Sequence, residues 1–189
     1  EALSKAIQDK NPCLCVYLFE DILLKNPHYA QRHFDFIKQS LQDINTKLEA
    51  FNTRVLVVHT EAVSFFNDLL QKLDLKTVYS HQETGLNCTY QRDLRLAQFF
   101  KSKGINWIQT QNNGVKRGRR NRKNWRQDWE TYMNKKCIPF QANRHDFLSN
   151  AEINKLGFKE VNLKCEVSKN FQPGGRRFGL KYADSFFNE

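Results

Sequence analysis

Glycine and proline are scarce in this chain of 189 residues, eight and four respectively, and no G-x-G-x-x-G pattern occurs. The phosphate-cradling turn of dinucleotide-binding proteins is therefore absent, and Gly114 and Gly118 do not restore it. No apolar run approaches the length of about eighteen residues or more that a membrane-crossing helix needs. No positively charged lead runs into a short apolar stretch at the start. The chain reads as cytoplasmic, with no membrane partner. Cysteines number five, an odd count. Cys13 and Cys15 alternate along one strand face, while Cys88, Cys137 and Cys165 are far apart, so neither a disulfide framework nor a metal site follows from the spacing. Reduced, structural thiols are the expectation. Acids are missing between Gly114 and Gln127, where Lys116, Arg117, Arg119, Arg120, Arg122, Lys123 and Arg126 lie. Those seven cations make up most of the net charge of +10, so the basicity belongs to one segment.

What is present is ordinary for a globular protein. Apolar residues make up 40% and charged residues 26%, enough for one domain with a sizeable core and some tail. Residues 1–9 have helical periodicity and stop at Asn11-Pro12. Residues 13–19 are a continuous apolar run, read as a buried strand. A loop over 20–28 carries Glu20 and Asp21. Residues 29–50 form a long helix, with Phe34, Ile37, Leu41, Ile44 and Leu48 at three- and four-residue intervals. A strand at 54–58, a helix over 61–73, a strand at 75–79, a polar loop over 80–93, a helix over 93–102 and a strand at 105–109 follow, with Gly104 as a helix C-cap. Short β-rich runs alternating with helices predict an α/β fold: a Rossmann-like, doubly wound parallel sheet. The expected core contains Leu14, Val16, Leu18, Ile37, Leu41, Val55, Val57, Val78 and Ile108. Beyond it, Trp125 and Trp129 share a helical face, expected to be packed. Residues 135–170 read as a mostly irregular linker with a short helix near 151–155, and residues 174–187 as the first helix of a second domain.

In an open α/β sheet, ligands sit beyond the carboxyl ends of the strands, which directs attention to the Ser80–Asp93 loop. It holds His81, Gln82, Glu83, Asn87, Arg92 and Asp93, with Gly85 to turn the backbone. A fixed acceptor and a fixed guanidinium, such as Glu83 and Arg92, suit a ligand with ring N–H groups or an anionic tail. Their other reading is structural, Arg92 and Asp93 bracing the next helix. His81 is either a ligand or a hydrogen-bonded loop histidine. The basic segment, interleaved with Trp125, suits either phosphate contact with stacking or packing against another domain.

The order Val16-Tyr-Leu-Phe-Glu-Asp21, Gln31-Arg-His-Phe34 leading into Ser40-Leu41, Val55-Leu-Val-Val58 and the Ser80–Asp93 loop resembles the amino-terminal domain of the photolyase/cryptochrome family. The segment from Asn113 to Trp125, followed by Trp129, is similar to the stretch after the last strand in some bacterial members. Phe171 to Leu180 is similar to the start of the family's helical flavin-binding domain. The resemblance implies three segments: an α/β domain over 1–134, an interdomain linker over 135–170, and the start of the FAD-binding helical domain over 171–189. It also implies that a first strand and its basic loop lie upstream of Glu1, so that the strands seen here are the second to fifth, with a gap at the sheet centre.

The functional implications come with the likeness. Family members are blue-light flavoproteins. Photolyases use light-driven electron transfer from FAD to split pyrimidine dimers in UV-damaged DNA, and cryptochromes signal. The FAD belongs to the helical domain, so this chain alone is not expected to be an active lyase. The amino-terminal domain often holds an antenna chromophore (a folate, a deazaflavin, FMN or a lumazine), for which Glu20, Asp21, Arg32, His81, Gln82, Glu83 and Arg92 are the candidate contacts. Lys116, Arg117, Arg119, Arg120, Arg122 and Lys123 are candidates for contact with nucleic acid or with the chain's own helical domain. The whole protein is expected to be a monomeric deoxyribodipyrimidine photolyase. The alternatives are a cryptochrome-type sensor without repair activity and a basic nucleic-acid-binding Rossmann-like module.

Overall fold

A computed structural model of the chain describes residues 1–136, 139–166 and 170–188; Cys137, one of the expected free thiols, lies outside the described residues. The elements run α1 (Ala2–Gln8), β1 (Cys15–Phe19), α2 (Asp21–Leu24), α3 (Gln31–Leu48), β2 (Val55–His59), α4 (Ala62–Leu69), β3 (Thr77–His81), α5 (Asn87–Ser102), β4 (Asn106–Thr110), α6 (Trp125–Met133), α7 (Asn150–Lys155) and α8 (Arg176–Phe187). The fold is α/β with parallel strands. β1 pairs with β2 and β3 with β4, each in parallel register, giving two two-stranded ladders among the described residues.

The chain divides into two compact units that interleave along the sequence: residues 1–11 with 62–142, and residues 12–61 with 143–189. The segments expected from sequence, 1–134, 135–170 and 171–189, cut across them.

In the first unit, α1 lies against β3 and β4, and α4 packs on α5. α5 buries Thr89, Asp93, Leu96 and Phe100, a stripe at helical spacing that sets its inner face. Phe100 meets Phe66 and Trp107 edge to face at 4.8 and 5.3 Å. The helix ends at Ser102 with Lys103 as its C-cap, and Gly104, expected as the cap, follows it in the left-handed conformation with φ of +68°.

In the second unit, β2 is buried through Val55, Leu56, Val57 and Val58. The stretch that follows residue 142 completes it. Cys13 bridges to Phe147 in parallel and Val58 to Glu160 in antiparallel fashion, and Thr53 Oγ1 donates to the Leu148 carbonyl at 2.7 Å. α7 starts with a reciprocal cap. Ser149 Oγ accepts the Glu152 N–H at 3.3 Å, and the Glu152 carboxylate accepts the Ser149 hydroxyl at 2.6 Å and the Ser149 N–H at 2.7 Å; the hydroxyl first and the N–H second hold that carboxyl below its usual range. Arg54 ties β2 to α7. Its guanidinium makes a bidentate pair with Glu160 and reaches Asn150 Oδ1 at 2.8 Å and Asn154 Oδ1 at 2.7 Å.

Of the nine expected core residues, Leu41, Val55 and Val57 are buried, while Leu14, Val16, Leu18, Ile37, Val78 and Ile108 are half-buried. β1 and β3 are half-buried at four of their five positions, whereas β2 is buried at four of five. Cys13, Cys15, Cys88 and Cys165 are free thiols. Burial, helped by neighbouring Cys13, pushes the Cys15 thiol up to about 11, so it is protonated and inert.

Candidate functional site

The parallel ladder of the first unit runs to its last residues, His81 opposite Thr110. His81 Nδ1 lies 2.9 Å from Thr110 Oγ1, and the Gln82 N–H donates to the Thr110 carbonyl at 2.8 Å. The chain then leaves the strand and folds back on itself. Glu83 Oε1 accepts the Gly85 N–H, which fixes the half-buried carboxylate. Its Oε2 lies 3.8 Å from Arg92 Nη2. Arg92 turns to its neighbour, with Nε and Nη2 donating to Asp93 Oδ1 at 3.0 and 2.8 Å. Asp93 is buried, and its second oxygen sits 3.5 Å from Gln109 Nε2 on β4. Glu83, Arg92 and Asp93 thus form one acid–base cluster tied to β4. Arg92 and Asp93 stand in the second turn of α5 rather than at its start, because the helix begins at Asn87.

In the second unit, β1 ends at Phe19 opposite His59 of β2. Glu20 is only 2% exposed, and its carbonyl accepts the N–H groups of Leu23 and Leu24 to open the short helix α2 within the expected loop. Asp21 contacts Lys25 Nζ at 2.7 Å and His59 Nε2 at 2.8 Å. Lys25, with His59 second, holds the Asp21 carboxyl below its ordinary range, and Asp21 in turn raises Lys25. His59 is a residue to which sequence reasoning assigned no role. The signal lay in strand register, since parallel pairing of two equal strands brings the residue after one beside the end of the other.

Arg32 lies over the Phe171 ring at 5.5 Å and, with Gln31, Asp35, Gln39 and Glu166, borders a cavity of about 190 Å³. It is engaged with the segment leading to α8. That segment is seated on α3: the Gly174 N–H donates to Gln39 at 2.7 Å, the Gly175 N–H to Ser40 Oγ at 3.1 Å, and the Arg176 N–H to Asp43 at 2.9 Å.

The basic segment divides by partner. Arg119 pairs with Asp128 of α6, and Lys116 approaches the same carboxylate at 3.9 Å. Arg117 stacks over Tyr90 at 5.2 Å. Arg120, Arg122 and Lys123 are exposed and make no ion pair among the described residues. Trp125 and Trp129 are 51% and 42% exposed, so they are not core residues of this chain. Tyr132 is the anchor of that helix, its hydroxyl donating to the Gln111 carbonyl at 2.9 Å. The larger described cavity, about 390 Å³, flanks α5 and β4, whereas the expected pocket was at the strands' carboxyl ends. Among the described residues, no group of three or more His, Cys, Asp and Glu could hold a metal ion. No helix among them is long and apolar enough to cross a membrane.

The sequence model of the DNA photolyase family matches residues 1–147. A photolyase from Sulfolobus tokodaii, described with two FAD molecules and a novel light-harvesting cofactor, superposes with a TM-score of 0.68 at 18% identity, covering 95% of this chain and 41% of its own. A cryptochrome from Synechocystis sp. PCC6803 gives 0.68 at 16% identity, covering 98% and 42%. A class III photolyase from Agrobacterium tumefaciens gives 0.55 at 20% identity, covering 65% and 25%. No curated protein sequence matches. The chain thus spans about two fifths of the length of the first two structures, and at these identities the likeness is one of fold.

Proposed function

The chain belongs to the DNA photolyase family, and from that premise we propose that it is the light-harvesting domain of a cytoplasmic, monomeric deoxyribodipyrimidine photolyase. The observation that carries this reading is the family match over residues 1–147. In the whole protein, the helical domain to which α8 leads holds FAD, which supplies the light-driven electron that splits a pyrimidine dimer. This domain contributes the antenna.

The residues at the end of β3 fit an antenna chromophore. Glu83 is fixed through one oxygen by Gly85, and its second oxygen lies 3.8 Å from Arg92, beyond hydrogen-bond reach. That oxygen serves as acceptor for a ring N–H. Arg92 acts as a positioning residue, its charge held beside Asp93, while His81 and Gln82 border the same strand end. Glu20, Asp21 and Arg32, in the second unit, are separate candidates for ligand contact, and Asp21 is held by its pairs with Lys25 and His59. The antenna is a folate, a deazaflavin, FMN or a lumazine.

The basic segment has two uses under this proposal. Docking against the chain's own helical domain is the first. Contact with DNA is the second, and it is favoured at Arg120, Arg122 and Lys123, which keep their charges exposed and without a partner acid among the described residues.

The test is the absorption spectrum of the full-length protein, recorded before and after blue light with a dimer-containing oligonucleotide. Flavin bands with light-dependent dimer loss are the expected result, and an extra near-ultraviolet band identifies the antenna. Flavin photoreduction without dimer loss replaces the repair reading with a cryptochrome-type sensor. Absence of flavin overturns both.

A further inference from the structure

Within the first unit, α5 and strand β4 flank the half-open cavity of about 390 Å³, inside the range of roughly 300–1,000 Å³ typical of small-molecule sites. Leu94, Ala97 and Phe100 of α5, Trp107 and Gln109 of β4, and Arg117 line it. Phe100 and Trp107 meet edge to face, which gives the cavity an aromatic floor. Its charges do not balance. Asp93 reaches the cavity, but the two N–H groups of Arg92 occupy its Oδ1 and neutralise it. Lys101 and Arg117 also line the space, and neither makes an ion pair among the described residues. Arg117 carries the decisive atom. Its guanidinium is held over Tyr90 at 5.2 Å, and its Nη1 is buried with no hydrogen-bond partner. A guanidinium cannot shed its proton, and a buried charged donor left unpaired is costly, so the site is short of one acceptor.

We propose that this cavity binds a flat aromatic anion of one or two rings, its ring against Phe100 and Trp107 and its carboxylate or phosphate paired with Arg117. The amide of Gln109 adds a second polar contact within the same walls. This inference does not depend on flavin, antenna or DNA, since every residue it uses lies beside α5 and β4 or in the segment after them.

The test is calorimetric titration of the whole chain with 2-naphthoate and with 2-naphthyl phosphate, alongside the uncharged 2-naphthamide. At least one anion binds saturably at one per chain, and the amide binds tenfold more weakly or worse. Whichever anion binds more tightly names the head group. Arg117→Gln lowers affinity about tenfold or more, the loss expected for one charge-assisted hydrogen bond, while Arg120→Gln leaves it unchanged. Ala97→Phe fills the cavity from an exposed helix position and also abolishes binding without altering charge. Circular dichroism of each variant establishes that it is folded. The proposal is overturned by no saturable binding of either anion, or by equal affinities in the Arg117→Gln and Arg120→Gln proteins.

Discussion

A side chain at position 174 has nowhere to go: a Cβ there would stand 2.1 Å from the Phe36 carbonyl oxygen. Gly174→Ala must push the start of α8 off α3. The expected cost is about 1–3 kcal/mol, as for other overpacked contacts, read as lost hydrogen-exchange protection along Arg176–Phe187. Asp43, two turns beyond Phe36 along α3, caps α8 from another helix by accepting the Arg176 N–H. That bond, with Lys47 second, holds its carboxyl below the ordinary value. A depressed folded-state value means that the contribution is complete above the ordinary carboxylate range and lost as pH falls through the lowered one. Asp43→Ala is therefore expected to cost about 0.5–2 kcal/mol at neutral pH, as other cap losses do, with the gap closing in acid; urea titrations over a pH series measure it. Arg54 makes a third case. Lysine cannot reproduce a fork that serves Glu160, Asn150 and Asn154 together, so Arg54→Lys should destabilise the chain by about 1–3 kcal/mol in the same titrations.

The elements show what a sequence discloses and what it hides. α3, β2, α6 and α8 were legible because their apolar spacing is strong and uninterrupted. The sequence pattern places the start of α5 at Asp93, and the helix begins six residues earlier, at Asn87. Asn87, Cys88 and Thr89 are weak helix formers, and burial of Thr89 and Asp93 on the inner stripe outweighs their propensity. The shift matters for the candidate site, since it moves Arg92 and Asp93 from a loop onto a rigid helix. For Trp125 and Trp129, helical spacing reveals a shared face but not what covers it, and both are exposed. Within α5, Phe100 is 1% exposed and meets three aromatic rings, so Phe100→Ala should cost about 3–5 kcal/mol. Neighbouring Phe99, half-buried, should cost clearly less when changed to alanine, and thermal melts of the two variants provide the comparison.

On the scale of the whole molecule, the charge asymmetry was plain from sequence, but its internal settlement was not. Asp128 sits outside the acid-free stretch and is brought to Arg119 only when α6 folds back beside it. Under the proposed DNA contact, the remaining exposed cations are expected to give a sequence-independent, salt-sensitive affinity for DNA. Replacing Arg120, Arg122 and Lys123 together by glutamine should reduce the slope of log affinity against log salt by up to about 3 on duplex DNA, and Arg119→Gln alone by less than 1. Filter binding across a salt series reads both.

The interleaving of the two units sets an order of events during synthesis. The ribosome releases β1 and β2 long before Phe147, Leu148 and the Val58–Glu160 bridge that complete their unit. The first unit, whose last residue is Ala142, can close while the second still waits for its C-terminal half. A nascent chain paused near that point carries a half-covered valine-rich strand, and that interval is where a chaperone would find most to hold.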